Sequence, residues 1–219
     1  MVSATSSTFA PPQTTVEYFE SVYAGAHGDA SRISWADQQP NPALITWLNA
    51  VAPSLIRCGS RVAVIGCGLG DDARELMRRG YEVTAFDCSH TAVDWAKRND
   101  PINAHCYFQA DLFNPPARWR HRFDLVVEIN TIHALSPDLH ERAIGAITNL
   151  LSPNGHLLVI CRGADEGAGH EEGPPWALTE QELLQAAACA GLAPNEPVCT
   201  FDDDETPPVR RIRAVFHRA

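Results

Sequence analysis

Between Arg61 and Asp87 the chain reads RVAVIGCGLGDDARELMRRGYEVTAFD, an apolar run, three glycines, a helical stretch and a second β-rich run ending on an acid. This order predicts strand, tight loop, helix and parallel strand. Gly66, Gly68 and Gly70 stand where a backbone without side chains can turn sharply, approach a ligand and lead into the free N–H groups of a helix. Asp87 ends the next strand, 21 positions after Gly66, where its two carboxylate oxygens can accept hydrogen bonds from both hydroxyls of a ribose. A glycine-rich loop alone also serves purely structural turns, so the specificity lies in the combination. The dinucleotide fingerprint places a third glycine where this chain has Asp71, and a pyrophosphate there would meet Asp71 and Asp72. A nucleoside cofactor without a pyrophosphate fits better.

Beyond Ser60 the same alternation continues. The runs RVAVIG, YEVTAF, HCYF, FDLVVEI and HLLVIC are separated by helical stretches, which predicts a parallel α/β sheet. Asp71 to Arg79 reads as a helix stopped by Gly80, and Ser89 caps the next one. Ser136-Pro137 opens a helix running to about Leu151, and SPNG makes the turn into the fifth strand. Thr179 and Glu182 form a capping box, after which Pro197 to Phe201 and Arg211 to His217 read as a terminal antiparallel hairpin. The expected fold is therefore Rossmann-like α/β, with seven strands and helices on both faces. At 219 residues the expectation is one domain over 16–219, with a helical cover at 16–58, a core at 59–219 and a disordered leader at 1–15. Within the cover, Tyr18, Phe19 and Tyr23 give a short helix an aromatic edge, and Asn41-Pro42 starts a second helix.

A net charge of -10 opposes an electrostatic grip on nucleic acid. Seven cysteines without a C-x-x-C pair read as free thiols, and neither a signal peptide nor a run of about 20 apolar residues is present. The expectation is a cytoplasmic protein without membrane or nucleic-acid partners.

The GCGLG loop, Asp87, the QADLF stretch and FDLVVEINTIHAL resemble, in that order, the class I S-adenosylmethionine-dependent methyltransferases. The resemblance implies S-adenosylmethionine as cofactor, with S-adenosylhomocysteine as product. Gly66, Cys67, Gly68 and Gly70 would then border its methionine part, with Cys67 a small space-filler. Asp87 and Cys88 would lie at the ribose, Asp111 and Leu112 at the adenine, and Glu128 and Ile129 beside the sulfonium. Most of that class carry an acid two positions before the first glycine, where this chain has Val64. The thiopurine methyltransferase-like branch, with its thiol, halide and tellurite relatives, tolerates an apolar residue there. The segment ISWADQQPNPALITWL also resembles that branch's cofactor cover, with Trp35 either a covering residue or a core anchor.

Methyl transfer is an in-line displacement at a carbon already activated by a sulfonium, so alignment and desolvation carry most of the acceleration and no metal is needed. A thiol can arrive largely as its anion, whereas an alcohol or phenol usually needs a base near neutral pH. His133, after the fourth strand in NTIHAL, is the candidate base; the bland alternative is a packed or solvent-facing histidine. Arg162 follows the fifth strand and could bind an anion, orient Asp165 or form a surface ion pair. The glycine-rich loop 163–176 could act as a lid, and Asp202 to Glu205 reads as a solvated turn. The expected function is methyl transfer to a small-molecule acceptor, a thiol or other soft nucleophile. The alternatives are O- or N-methylation with His133 as base, or a non-catalytic cofactor-binding regulator.

Overall fold

The computed structural model describes residues 15–167 and 173–219. The expected leader, all but its last residue, and the middle of the expected lid lie outside the described residues.

Three helices precede the sheet: α1 (Thr15–Gly25), α2 (Pro42–Ala50) and α3 (Ala52–Leu55). Asn41 caps α2, its side chain accepting from the N–H groups of Ala43 and Leu44, with Pro42 in the first turn where its missing N–H costs nothing. There follow β1 (Arg61–Ile65), α4 (Asp71–Arg78), β2 (Glu82–Asp87), α5 (His90–Asn99), β3 (Tyr107–Gln109), β4 (Phe123–Ile129), α6 (His140–Thr148) and β5 (Leu151–Arg162). The chain closes with α7 (Glu180–Cys189), β6 (Leu192–Pro194), β7 (Cys199–Asp202) and β8 (Arg210–Arg218).

The strands form one sheet in the order β3-β2-β1-β4-β5-β8-β6, with β7 also paired to β8. The first five run parallel, and β8 is antiparallel to β5, β6 and β7. The sheet is thus the expected one with eight strands instead of seven. Both β6 and β7 lie along one edge of β8, and the Asn195 to Val198 stretch between them, with Pro197 unable to donate to a ladder, interrupts that edge. Two further details differ from the sequence reading. A single 3-10 turn, Pro137–Leu139, precedes α6, so the helix starts at His140. The SPNG segment does not precede β5 but forms a register shift within it, between the pairs Phe123↔Leu151 and Leu125↔His156.

Strand alternation sends Val62, Val64, Leu125, Val127, Leu158 and Ile160 to one face, where they pack with Leu44, Trp47 and Leu76. Ala63, Ile65, Val126, Leu157 and Val159 face the other way and pack with Ile144, Ile147 and Leu183. A third cluster, of Tyr23, Ile33, Leu69, Ala92 and Trp95, seats α1 on the start of α5. All seven cysteines are free thiols, and no described helix is long and apolar enough to cross a membrane.

Candidate active site

The strand order changes direction between β1 and β4, and the carboxyl ends flanking such a switch point form a crevice. Register brings Ile65 level with both Phe86 and Glu128, so Gly66, Asp87 and the residues after Ile129 emerge side by side. The loop leaves β1 through Gly66 at φ +58°, and a Cβ there would lie 2.3 Å from Thr131 Oγ1. Thr131 donates from that hydroxyl to the Ile65 carbonyl, at 3.2 Å, tying the ends of β1 and β4 together. Gly70, at φ +87°, stands at the N-cap of α4 with its Cα against Tyr107, where a Cβ would approach the ring to 2.9 Å. Both positions need glycine for conformation and for space.

Asp87 is buried, and the backbone N–H groups of Gly68 and Ser89 donate to its two oxygens, each at 2.9 Å. Burial pushes its carboxyl above the usual range while those two N–H groups pull it back. The Cys88 thiol and N–H also donate to it, so the carboxylate is held in a fixed position at the end of β2 as an acceptor for vicinal hydroxyls. The thiols beside it are driven the other way from reactivity: burial and the Asp87 charge push Cys88 up to about 12 and Cys67 well above its ordinary value.

Over the glycine loop lies an aromatic cover. The buried Tyr23 places its hydroxyl 3.0 Å from where a Gly68 Cβ would stand, and Trp35 Nε1 donates to that hydroxyl at 3.0 Å. Trp35 packs edge-on to Phe19 and Tyr23 while remaining partly exposed. The cover is latched by Glu20, which the sequence did not mark. Its carboxylate accepts from Ser89 Oγ at 2.7 Å, from Thr91 Oγ1 at 2.5 Å and from the Thr91 N–H at 3.3 Å, with His90 Nδ1 at 3.1 Å. An acid at the start of α5 also complements the helix dipole.

At the end of β4, Glu128 is fully buried, and its Oε1 accepts from the N–H groups of Thr131 (2.6 Å) and Ile132 (2.8 Å). Burial raises its carboxyl to about 7. One of its oxygens therefore caps the turn that carries His133, a structural duty that the motif did not reveal. Its Oε2 and the Asn130 Oδ1 are buried acceptors without a partner among the described residues, and Asn130 sits at φ +62°. Ile129 is half-buried against the core. Asp111 is exposed and accepts from the Phe113 N–H, 2.8 Å away, while Leu112 is buried beside it in sequence.

These groups fit S-adenosylmethionine. Its ribose hydroxyls match Asp87, and unpartnered acceptors at the β4 end suit a ligand bearing ammonium and sulfonium charge. A pyrophosphate would meet the acids Asp71 and Asp72 in the first turn of α4.

His133 is buried, and its Nδ1 accepts a hydrogen bond from the Arg162 backbone N–H at 2.8 Å. In the neutral ring the proton is then on Nε2, so the ring presents a donor. Burial and the nearby Arg211 and Arg162 charges depress its pKa to about 3. The geometry therefore opposes the expected general base, because protonation at Nδ1 would break the bond that positions the ring. The turn is held from outside too, since the Trp176 N–H donates to the His133 carbonyl at 2.6 Å. Arg162 does not orient Asp165, whose carboxylate pairs with Arg210 at 2.5 Å. In the acidic turn, Asp203 and Glu205 both hold Arg211, at 2.6 Å each, so part of a run read as solvated is engaged.

Residues 62–155 match the family model described as a methyltransferase domain. The chain is 30% identical over 109 residues to a tRNA N(3)-cytidine methyltransferase METTL2 of Danio rerio, a stretch covering 45% of this chain and 31% of that one. It thus spans about a third of that relative's length. It is 22% identical over 177 residues to the thiopurine S-methyltransferase of Acinetobacter baylyi, covering 72% of this chain and 79% of that one. Among solved structures, it is similar to the 1,6-didemethyltoxoflavin-N1-methyltransferase of Burkholderia thailandensis with bound 1,6-didemethyltoxoflavin and S-adenosylhomocysteine. That likeness has a TM-score of 0.73 at 18% identity, over 97% of this chain and 93% of that one.

Proposed function

We propose that this chain is an S-adenosylmethionine-dependent methyltransferase, as its fold and the domain matched over residues 62–155 support, and that it methylates a small soft nucleophile that arrives already ionised, a thiolate above all. The cofactor supplies an electrophilic methyl when bound. Asp87 and the glycine loop hold its nucleoside and methionine parts, Tyr23 and Trp35 cover it, and Asn130 offers an acceptor to its positive end.

The observation that carries the choice of acceptor is the His133 Nδ1 held by the Arg162 N–H. A ring fixed in that tautomer donates from Nε2 and takes no proton near neutral pH. An acceptor that must lose a proton on the enzyme is poorly served, whereas a thiol that ionises in solution needs only positioning and the exclusion of water. The likeness to a thiopurine S-methyltransferase, over 72% of this chain and 79% of that one, supports the same reading.

The test is a panel of thiols, phenols and amines read by S-adenosylhomocysteine release. Turnover of thiols, with a rate that follows each thiol's own ionisation from about pH 6 to 9, is expected. Preferred turnover of phenols or amines, with a bell-shaped dependence owing to an enzyme base, would overturn it. A tRNA acceptor is the second reading, favoured by the local identity to the METTL2 relative. Methylation of a tRNA transcript in place of the thiols would establish it.

A further inference from the structure

Three arginines meet on one face of two neighbouring strands. The β5-β8 register sets Arg162 directly opposite Arg211 and Ile160 directly opposite Arg213, and directly opposed residues of an antiparallel pair share a face. Like charges opposed in this way repel, so such a face calls for counter-anions. Arg211 has them, in Asp203 and Glu205. Arg162 and Arg213 have none: among the described residues neither guanidinium makes a hydrogen bond or an ion pair, although both residues are half-buried. In a chain with 27 acids and 17 bases, two adjacent uncompensated arginines in a sheet face are not what surface charge balance alone produces.

The same face borders the acceptor side of the crevice. Arg162 ends β5, its N–H fixes His133, and the charges of Arg162 and Arg211 both reach the His133 ring. Among the described residues the His133 Nε2 makes no hydrogen bond, so it is the edge of the ring left open to a ligand. Across the pair, Phe201 of β7 stands opposite Arg211 and is half-buried, giving the face an apolar ring beside the charges.

We propose that the methyl acceptor carries an oxyanion separate from the atom that is methylated, and that Arg162 and Arg213 bind it on this face beside His133. The substrate class is then a small thiol with a carboxylate or a phosphate at its far end. This deepens the small-acceptor reading above and takes from it only the location of the acceptor.

Binding tests it without turnover. The protein saturated with S-adenosylhomocysteine is titrated calorimetrically with 4-(methylthio)benzoate, with the neutral isostere 4-(methylthio)benzamide and with 4-(methylthio)phenyl phosphate. At least about ten-fold tighter binding of the benzoate than of the benzamide is expected. Arg162→Met and Arg213→Met keep apolar volume, and each should reduce that preference. The double variant should bring the two within about two-fold, and Arg162→Lys should restore part of it. Thermal unfolding with S-adenosylhomocysteine verifies that the variants fold. Tighter binding of the phosphate than of the benzoate, with the same arginine dependence, supports the site and assigns the oxyanion to a phosphate. Equal affinity for benzoate and benzamide, no binding of either, or a preference that survives in the double variant overturns the proposal. If no thiol is methylated in the acceptor panel while the arginine-dependent preference holds, the proposed reaction fails and the oxyanion site stands.

Discussion

At the scale of single residues, His133 and Glu128 are linked by one turn and titrate in opposite senses. The Glu128 carboxyl caps the turn and is raised to about 7, so between its unfolded value near 4.5 and about 7 the folded chain holds the extra proton. Its contribution to stability is present below pH 4.5 and is lost as pH rises toward 7. His133 is depressed from 6.5 to about 3, so in this range the unfolded chain holds the extra proton. Its contribution is present above pH 6.5 and is lost as pH falls. Between about pH 4.5 and 6.5 the two slopes, each at most about 1.4 kcal/mol per pH unit, oppose one another. Glu128→Gln should make denaturant stability fall more steeply with acid than in the parent. His133→Gln should make it fall more steeply as pH rises toward 7. Parallel pH profiles in all three proteins would show that neither side chain titrates as its burial requires. Asp87 offers a separate test, since Asp87→Asn keeps the shape but places a donor against the N–H of Gly68 or Ser89. S-adenosylhomocysteine should bind about 1–3 kcal/mol more weakly by calorimetry.

At the scale of elements, the turn out of β1 and the turn out of β4 are one construction. A methyl at position 66 meets Thr131 Oγ1 at 2.3 Å and forces a left-handed backbone on a residue with a Cβ. Gly66→Ala should therefore cost about 1–3 kcal/mol in chemical denaturation, and adding Thr131→Ala should recover the steric part while the backbone strain remains. The cover behaves likewise. Glu20 fastens α1 to the start of α5 through Ser89, whose own N–H holds Asp87. In Glu20→Ala, amide exchange over Thr15–Gly25 should quicken and α5 should lose about 0.5–2 kcal/mol of capping stabilisation. Unchanged exchange would mean that the aromatic contacts alone hold the cover.

How much of this was legible in sequence follows from how local each cause is. The alternating runs, the glycines, Asp87, the Ser89 cap and the Thr179 capping box are written in adjacent residues, and the structure has them where the reading put them. The Glu20 latch spans 69 residues to Ser89, and the His133 tautomer is set by a backbone 29 residues away. Neither has a sequence motif. The interrupted edge along β8 was hidden because three residues, Leu192 to Pro194, are too few to show a period of two.

At the scale of the whole molecule, the matched domain ends at Gly155, within β5, before the strand reaches Arg162. What the chain shares with the family model is therefore the stretch that holds the glycine loop, Asp87, Glu128 and His133. Outside the match lie the cover at 15–35, and the end of β5 and the β7-β8 edge that carry the proposed oxyanion site. The uncompensated Arg162 and Arg213, in a chain of net charge -10, are enough for one oxyanion and too few for a polyanion whose binding releases many counterions. A tRNA transcript should accordingly bind more weakly than about 100 µM in anisotropy at about 0.15 M salt, with little change on Arg162→Met. Lowering the salt to about 0.05 M should strengthen binding only slightly, because a shallow slope means few phosphate contacts. Submicromolar binding with a steep salt slope would instead place a nucleic-acid surface on this molecule and move the acceptor assignment to RNA.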